Sequence, residues 1–288
     1  MDDLRKIVWL ASYPKSGNTW FRVFLSNLLS KESNPVDINT LYATPIASNR
    51  ELFDEATGLS ASDLTPEEID NLRPGVYEYA ARNINELLFQ KIHDAWLMTE
   101  SGEPMFSKKV THSAIYFVRN PLDVAVSFSN HLCKPLDATA KIMADESYAF
   151  SSTPSRLHLQ LRQRLLTWSG HVQSWVDKSD LPIIVLRYED MIANTFNTFS
   201  KAVAFLGIKA TDEEIKMAIS HSDIKEMQKQ EAEKGFKEKP TNAISFFRKG
   251  VAGSWRTELS EDLVKSICND QRKMMLRFGY LDKQGNPL

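Results

Sequence analysis

Residues 7–29 read IVWLASYPKSGNTWFRVFLSNLL, and the fold turns on how that stretch divides. The opening run, 7–11, is short, apolar and not alternating, as in a parallel strand covered on both faces. From residue 21 onward the period changes: Phe21, Phe24, Leu25 and Leu28 recur at helical spacing. Between the two lies YPKSGNTW, 13–20, with one proline, one lysine, one glycine and three hydrogen-bonding side chains. In open parallel sheets, ligands sit beyond the carboxyl ends of strands, where helix N-termini point unpaired N–H groups. Lys15 beside Gly17 occupies that place and is suited to an anion. As plain geometry, the same turn is a strand-to-helix connection capped by Ser16 or Asn18.

The same alternation recurs twice. Run 114–118 is followed by Asn120 as a cap and Pro121 at the first helical position. Run 183–186 is followed by Phe196, Phe199, Val203 and Leu206 on one helix face, ending at Gly207. The expected fold is therefore α/β: one domain over 1–288, with a central parallel sheet flanked by helices. Segment 31–85 reads as an insertion on the rim of the sheet, with one capping box, Thr65 to Glu68. Segment 211–234 reads as two charged helices, the first opened by Thr211 and Glu214. The polar stretch 235–245 is expected to be a mobile loop. No repeat, low-complexity tract or domain boundary is evident.

Composition narrows the function. The 288 residues are 42% apolar and 25% charged, enough for a full core. Thirty-five basic residues against thirty-seven acidic give a net charge of −2, so no global field favours nucleic acid. An anion must be held by locally placed cations. The two cysteines, Cys133 and Cys268, form neither a disulfide framework nor a zinc spacing, as in a reducing compartment. The apolar part of MDDLRKIVWLA, 1–11, is too short for a signal peptide or a membrane span, and a cytoplasmic protein is expected.

Two further segments look anion-friendly. YFVRNPLDVAVSFSNH, 116–131, puts Arg119 at a strand's carboxyl end and Asn120, Asp123 and Ser127 on one helix face. A simple Arg119–Asp123 ion pair would explain part of that pattern. FFRKGVAGSW, 246–255, sets Arg248 and Lys249 beside Gly250 and Gly253, between aromatics able to stack a base. A nucleotide P-loop, Gly-x-x-x-x-Gly-Lys-Ser/Thr, is absent, as is Gly-x-Gly-x-x-Gly.

Together these segments resemble the sulfotransferases that use 3′-phosphoadenosine 5′-phosphosulfate (PAPS), most closely the cytosolic type. YPKSGNTW is similar to the family's Tyr-Pro-Lys-Ser-Gly-Thr-Thr-Trp, with Asn18 in place of a threonine. Arg119, Asn120, Asp123 and Ser127 match its Arg-Asn-x-x-Asp-x-x-x-Ser. Arg248, Lys249, Gly250, Gly253 and Trp255 match its Arg-Lys-Gly-x-x-Gly-x-Trp. RYEDM (187–191) and HSDIKEM (221–227) also look like family segments, so the resemblance spans roughly residues 5 to 280 in order.

The resemblance implies a P-loop-like phosphosulfate turn after the first strand, made by Lys15, Ser16, Gly17, Asn18, Thr19 and Trp20. It implies a grip on the 3′-phosphate by Arg119, Ser127, Arg248, Lys249 and Gly250, with segment 235–255 covering the nucleotide. Trp20, Ile224 and Phe247 would flank the adenine, with Tyr188 and Ser222 hydrogen-bonding around it. Asp223 and Ile224 stand where a serine and an aromatic are common. Transfer of a sulfuryl group to a hydroxyl or amine needs a base, and histidine is the usual one near neutral pH. Similarity to a Lys-Thr-His segment, here Lys91-Ile92-His93 in ELLFQKIH, picks His93; His112 falls at the entry edge of its strand. His131, His158 and His171 read as structural. The implied chemistry is in-line displacement releasing adenosine 3′,5′-bisphosphate (PAP) without a metal. Lys15 would neutralise the leaving oxygen, Lys91 would support the sulfuryl oxygens, and Ser127 would join them at the catalytic centre.

Other readings of the cradle are a nucleotide-dependent kinase with a variant phosphate loop and a catalytically silent nucleotide-binding homologue. The acceptor is expected to be a small alcohol, phenol or amine. Segments 31–85 and 132–165 are expected to shape its pocket, with Tyr42, Phe53, Tyr77, Tyr79 and Phe150 as apolar contacts. A homodimer is possible, but the family's Lys-x-x-x-Thr-Val-x-x-x-Glu dimer segment is not matched by residues 256–265.

Overall fold

The computed structural model describes residues 4–41, 45–153 and 158–288. Strand β1 (Ile7–Ser12) is wholly buried and passes through the turn at Lys15 and Gly17 into α1 (Asn18–Ser30). Helices α2 (Arg50–Thr57) and α3 (Pro66–Arg82) follow, then β2 (Leu88–Ile92) and β3 (Thr111–Val118). Next come α4 (Pro121–Leu132), α5 (Leu136–Met143), the two-residue strands β4 (Ala149–Phe150) and β5 (Gln163–Arg164), α6 (Trp168–Gln173) and β6 (Ile183–Arg187). The chain finishes with helices: α7 (Tyr188–Ala193), α8 (Thr195–Phe205), α9 (Asp212–His221), α10 (Ile224–Lys234), α11 (Trp255–Glu258), α12 (Glu261–Asp270) and α13 (Arg272–Arg277).

The main sheet has the order β2–β1–β3–β6, and β1 pairs in parallel with β2 from Ile7↔Leu88 to Ala11↔Ile92. Helices α1 to α3 lie along the chain between β1 and β2, and α4 to α6 between β3 and β6, as crossover connections require. The connection from β2 to β3, 93–110, holds no helix. The strands expected at 7–11, 114–118 and 183–186 are present, and β3 starts three residues earlier, through Thr111, His112 and Ser113.

The chain clusters into two compact units whose boundaries cut through β3 and β6. The first comprises Met1–Tyr13, Thr44–Tyr116 and Asp145–Val185. Its core sets Trp9 against Tyr77 and Phe106, each 5.0 Å away between ring centroids. Phe53, Ala61, Ile69, Val76 and Leu161 form a second cluster between α2 and α3. The expected box at Thr65 is present: Thr65 Oγ1 accepts from Glu68 N at 3.2 Å, and Glu68 accepts from Thr65 N at 2.8 Å.

The second unit comprises Pro14–Ala43, Phe117–Ala144 and Leu186–Leu288. Phe21, Phe24, Phe117 and Phe199 join α1, β3 and α8, with Phe24 and Phe199 rings 4.4 Å apart. Full burial of one such ring against water contributes about 1.5–3 kcal/mol. The box at Thr211 and Glu214 starts α9 as expected. The start of the 235–245 stretch departs from a free loop. Phe236 is buried, Arg22 binds Glu238 at 2.8 Å, and Asn39 holds Gly235 O and Lys237 N. Beyond it the chain is open to solvent, and Ile244 is 99% exposed. Among the described residues no helix is long and apolar enough to cross a membrane.

Candidate functional site

In the second unit the turn after β1 is built on unusual backbone. Lys15 has φ +70° and Gly17 has φ +101°. A lysine in that region costs roughly 1–2 kcal/mol, strain that clusters at binding sites. Turns of this kind present successive N–H groups to an anion. Gly17 is also sterically fixed, because a Cβ there would sit 2.8 Å from Tyr188 Cδ2. Neither Ser16 nor Asn18 caps α1: its N-cap is Gly17, without a side-chain hydrogen bond. The Ser16 hydroxyl is instead fully buried and has no hydrogen-bond partner among the described residues.

Arg119 emerges just beyond β3 and turns back to this loop. It donates to Lys15 O at 3.2 Å and to Val251 O at 3.0 Å, with its guanidinium 4.2 Å from the centre of the Tyr188 ring. Burial, which outweighs this cation, raises the Tyr188 phenol above its ordinary range. The Arg119–Asp123 pair considered from sequence gives way to another arrangement. Asp123, in the first turn of α4, accepts from Gly253 N at 2.7 Å, Ser254 Oγ at 3.1 Å and Trp255 N at 3.1 Å. The aspartate clamps the glycine loop, and the arginine joins the loop to the lysine turn. Asn120 caps α4 as expected, accepting from Leu122 N at 3.0 Å.

The aromatic expectations converge as well. Phe247 lies in a cluster with Val23, Ile38, Met227 and Phe236, and Trp20, Ile224 and Phe246 pack on it. Ile224 touches Gly250 so closely that a Cβ at Gly250 would be 2.8 Å from it. Lys15 Nζ sits 3.8 Å over the Phe246 ring. Ser222 is fully buried and donates to Ile219 O, whereas Ser127 and Thr19 are half-buried on α4 and α1. Arg248 and Lys249 share a counter-ion absent from the sequence reading, Glu258, at 3.5 Å and 2.8 Å. Burial opposes ionisation of Glu258, yet the two cations hold its carboxyl below the usual range. Its only sequence signal is an acid nine positions beyond Lys249.

Lys91 and His93 belong to the first unit. Lys91 lies in β2 in register with Leu10, its backbone bonded to Pro45 O and Ala47 N. His93 stands just past the end of β2. Its Nδ1 lies 2.9 Å from Ser12 O and 3.4 Å from Ser12 Oγ. A carbonyl oxygen only accepts, so Nδ1 carries a proton, and in the neutral ring Nε2 then holds the lone pair. The contact thus selects the Nδ1–H tautomer of the neutral imidazole. The backbone carbonyl of His93 accepts from His171 Nε2 at 3.0 Å, and His171 Nδ1 accepts from Tyr116 Oη at 2.8 Å. Burial pushes His171 down to about 4, so it stays neutral and its own tautomer is fixed. His171 is structural, as expected, but it supports His93 directly. His112 lies at the start of β3 with Nδ1 3.0 Å from Ser113 Oγ.

Among the expected acceptor contacts, Phe53 and Tyr77 are core residues at 0% and 1% exposure, so neither is open to a ligand. Tyr79 donates to Glu55 on the surface, and Phe150 lies 6.0 Å from Tyr148. Tyr42 lies outside the described residues. No group of three or more metal-ligating side chains occurs among the described residues.

The family model of the sulfotransferase domain matches residues 5–279. The guinea-pig (Cavia porcellus) 3-alpha-hydroxysteroid sulfotransferase is 28% identical over 86% of this chain and 76% of its own. Bovine (Bos taurus) sulfotransferase 1E1 is 27% identical over 87% and 77%. Among solved structures, mouse SULT7A1 complexed with PAP superposes with TM-score 0.61 at 19% identity, covering 98% of this chain and 87% of that one. Retinol dehydratase in complex with androsterone and inactive cofactor PAP gives TM-score 0.62 at 20% identity, over 94% and 81%. The structural likenesses establish the α/β fold with its central parallel sheet.

Proposed function

Since the chain belongs to the sulfotransferase domain family, we propose that it transfers a sulfuryl group from PAPS to a small-molecule hydroxyl or amine, with His93 as general base. The observation that carries the assignment of the base is the 2.9 Å contact between His93 Nδ1 and Ser12 O. In the neutral ring this contact puts the lone pair on Nε2, the atom proposed to take the acceptor's proton, and proton abstraction by a placed imidazole contributes about 10²–10⁴-fold.

The residues of the second unit fit a doubly phosphorylated adenosine. The turn at Lys15 and Gly17 admits no side chain at its glycine, and the buried Ser16 hydroxyl has no hydrogen-bond partner among the described residues. Lys15, Ser16, Gly17, Asn18 and Thr19 would hold the 5′ side. Arg119, Ser127, Arg248, Lys249 and Gly250 would hold the 3′-phosphate, with Glu258 giving up its cations as the phosphate arrives. Trp20, Ile224 and Phe247 already share one apolar cluster, which suits an adenine face. Tyr188 lines its edge in this reading, whereas Ser222, expected there from the resemblance, is fully buried with its hydroxyl donating to Ile219 O. When bound, PAPS supplies a sulfuryl group activated by its anhydride link to phosphate. In this reading Lys15 would neutralise charge at the 5′ side, Lys91 would support the sulfuryl oxygens, and His93 Nε2 would take the acceptor proton. No residue set for a metal enters this scheme.

The guinea-pig relative is named for hydroxysteroids. From it comes only the chemistry of a hydroxyl acceptor, and the proposed setting is the cytoplasm. The test is a screen with radiolabelled PAPS over phenols, steroids, other alcohols and amines, repeated with His93→Ala and His112→Ala. His93→Ala should lose roughly 10²–10⁴ in rate and keep PAP binding. Loss confined to His112→Ala would refute the assignment.

A further inference from the structure

His93 lies one residue beyond the end of β2. Donors converge there on two consecutive residues, His93 and Asp94. Arg73, from the middle of α3, makes a two-pronged pair with Asp94: Nη1 to Oδ1 at 2.9 Å and Nη2 to Oδ2 at 2.8 Å. Trp175 Nε1 donates to Asp94 O at 2.9 Å, and His171 Nε2 to His93 O at 3.0 Å. Arg73 is itself held on every side. Its Nε donates to Tyr77 Oη at 3.0 Å, Nη1 reaches Arg162 O at 3.3 Å, and Asp70 lies 3.6 Å away. Arg162 closes the network onto Asp70 at 2.6 Å and Glu67 at 2.8 Å.

The pair is fully dehydrated, with Arg73 at 0% and Asp94 at 1% exposure. Burying two charges costs several kcal/mol per ion, and apolar residues of similar volume often stabilise as well or better. Stability alone is thus a weak reason for the pair. A rigid planar fork gripping the residue next to the proposed base supplies something apolar packing does not: one fixed direction for the following peptide.

We propose that Arg73 is a positioning residue: through Asp94 it locks the peptide carrying His93, and so keeps Nδ1 on Ser12 O and the lone pair on Nε2. The proposal deepens the assignment of His93 and rests on it for its catalytic meaning. It ties the tautomer of His93 to α3, a helix of the 31–85 insertion. Asp70, Glu67 and Arg162 act one step further out, by fixing Arg73.

The test reads the imidazole directly. Long-range ¹H–¹⁵N correlation on protein with ¹⁵N-labelled histidine reports which nitrogen of His93 is protonated, with His93→Gln identifying the signal. The wild type should show a single Nδ1–H species. Arg73→Met combined with Asp94→Leu removes both charges at once, so neither is left buried and unpaired. That variant should show a mixed His93 tautomer with an unchanged Kd for PAP. Arg73→Lys, which keeps the charge without the fork, should fall between. A wild-type His93 pattern in the folded double variant would overturn the proposal. Should the double variant fail to fold, Asp94→Asn, which preserves shape, is measured in its place: a mixed tautomer supports the proposal and a single Nδ1–H species overturns it. If His93→Ala leaves sulfuryl transfer intact, the base assignment fails, while the tautomer result still decides whether Arg73 positions the ring.

Discussion

His171 shows how one buried side chain acts on another. It is enclosed by Tyr13 and Tyr116, with ring centroids 5.6 Å and 5.7 Å away, and both nitrogens are engaged. Burial lowers its folded value to about 4 from an ordinary 6.5. The sign follows from that depression. Between those values the unfolded chain takes a proton that the folded one refuses, so stability is present above 6.5 and lost as pH falls toward 4. The loss should be about 2 kcal/mol at pH 5. Urea midpoints at pH 7 and pH 5 measure it, and His171→Gln should flatten that difference; an equal drop in both proteins would contradict the account. At this scale the sequence was partly legible. His93 stood out through Lys91 two residues before it and its order along the chain, although Ile92 stands where the family has a threonine. Its partner Ser12 O did not, because a backbone acceptor leaves no trace in side-chain pattern. Asp123 was visible as a motif residue but not as the clamp on Gly253, since sequence spacing cannot show which loop returns to a helix N-terminus.

Among the elements, the turn between β1 and α1 carries the most constraint. Gly17 combines a positive φ with a Cβ approach of 2.8 Å to Tyr188. Gly17→Ala should therefore destabilise by more than the roughly 1 kcal/mol that a left-handed alanine costs, and should weaken PAP binding. A melting curve with and without PAP checks both, and wild-type behaviour in each would contradict the argument. The apolar strands β1 and β3 were legible because burial on both faces demands uninterrupted β-branched and large side chains. β6, partly buried at the end of the sheet, was legible from its β-branched run alone. The polar start of β3 was missed for the same reason, since Thr111, His112 and Ser113 break that run. β2 was harder: Gln90 and Lys91 interrupt it, and only the resemblance around His93 implied a strand there. The capping boxes at Thr65 and Thr211 were legible because both partners lie within one turn. The pinning of Phe236 and Glu238 was not, because it depends on Arg22 and Asn39 far away in sequence.

Over the whole molecule, charge tells the least and its placement the most. A net charge of −2 conceals Lys15, Arg119, Arg248 and Lys249, which one compact unit gathers from three separated segments. Two of these share Glu258, a counter-ion that an incoming phosphate would displace. In the proposed function Arg119, Arg248 and Lys249 recognise a 3′-phosphate, while Lys15 serves the 5′ side. Calorimetric titration with PAP and with adenosine 5′-monophosphate, in chelator, on the wild type and on Arg248→Ala with Lys249→Ala, tests it most directly. Charge-assisted contacts worth about 1.5–3 kcal/mol predict that the wild type prefers PAP by roughly 10–100-fold or more, and that the double variant loses most of that preference. Equal affinity of the wild type for the two nucleotides, or an undiminished preference in the variant, would contradict it.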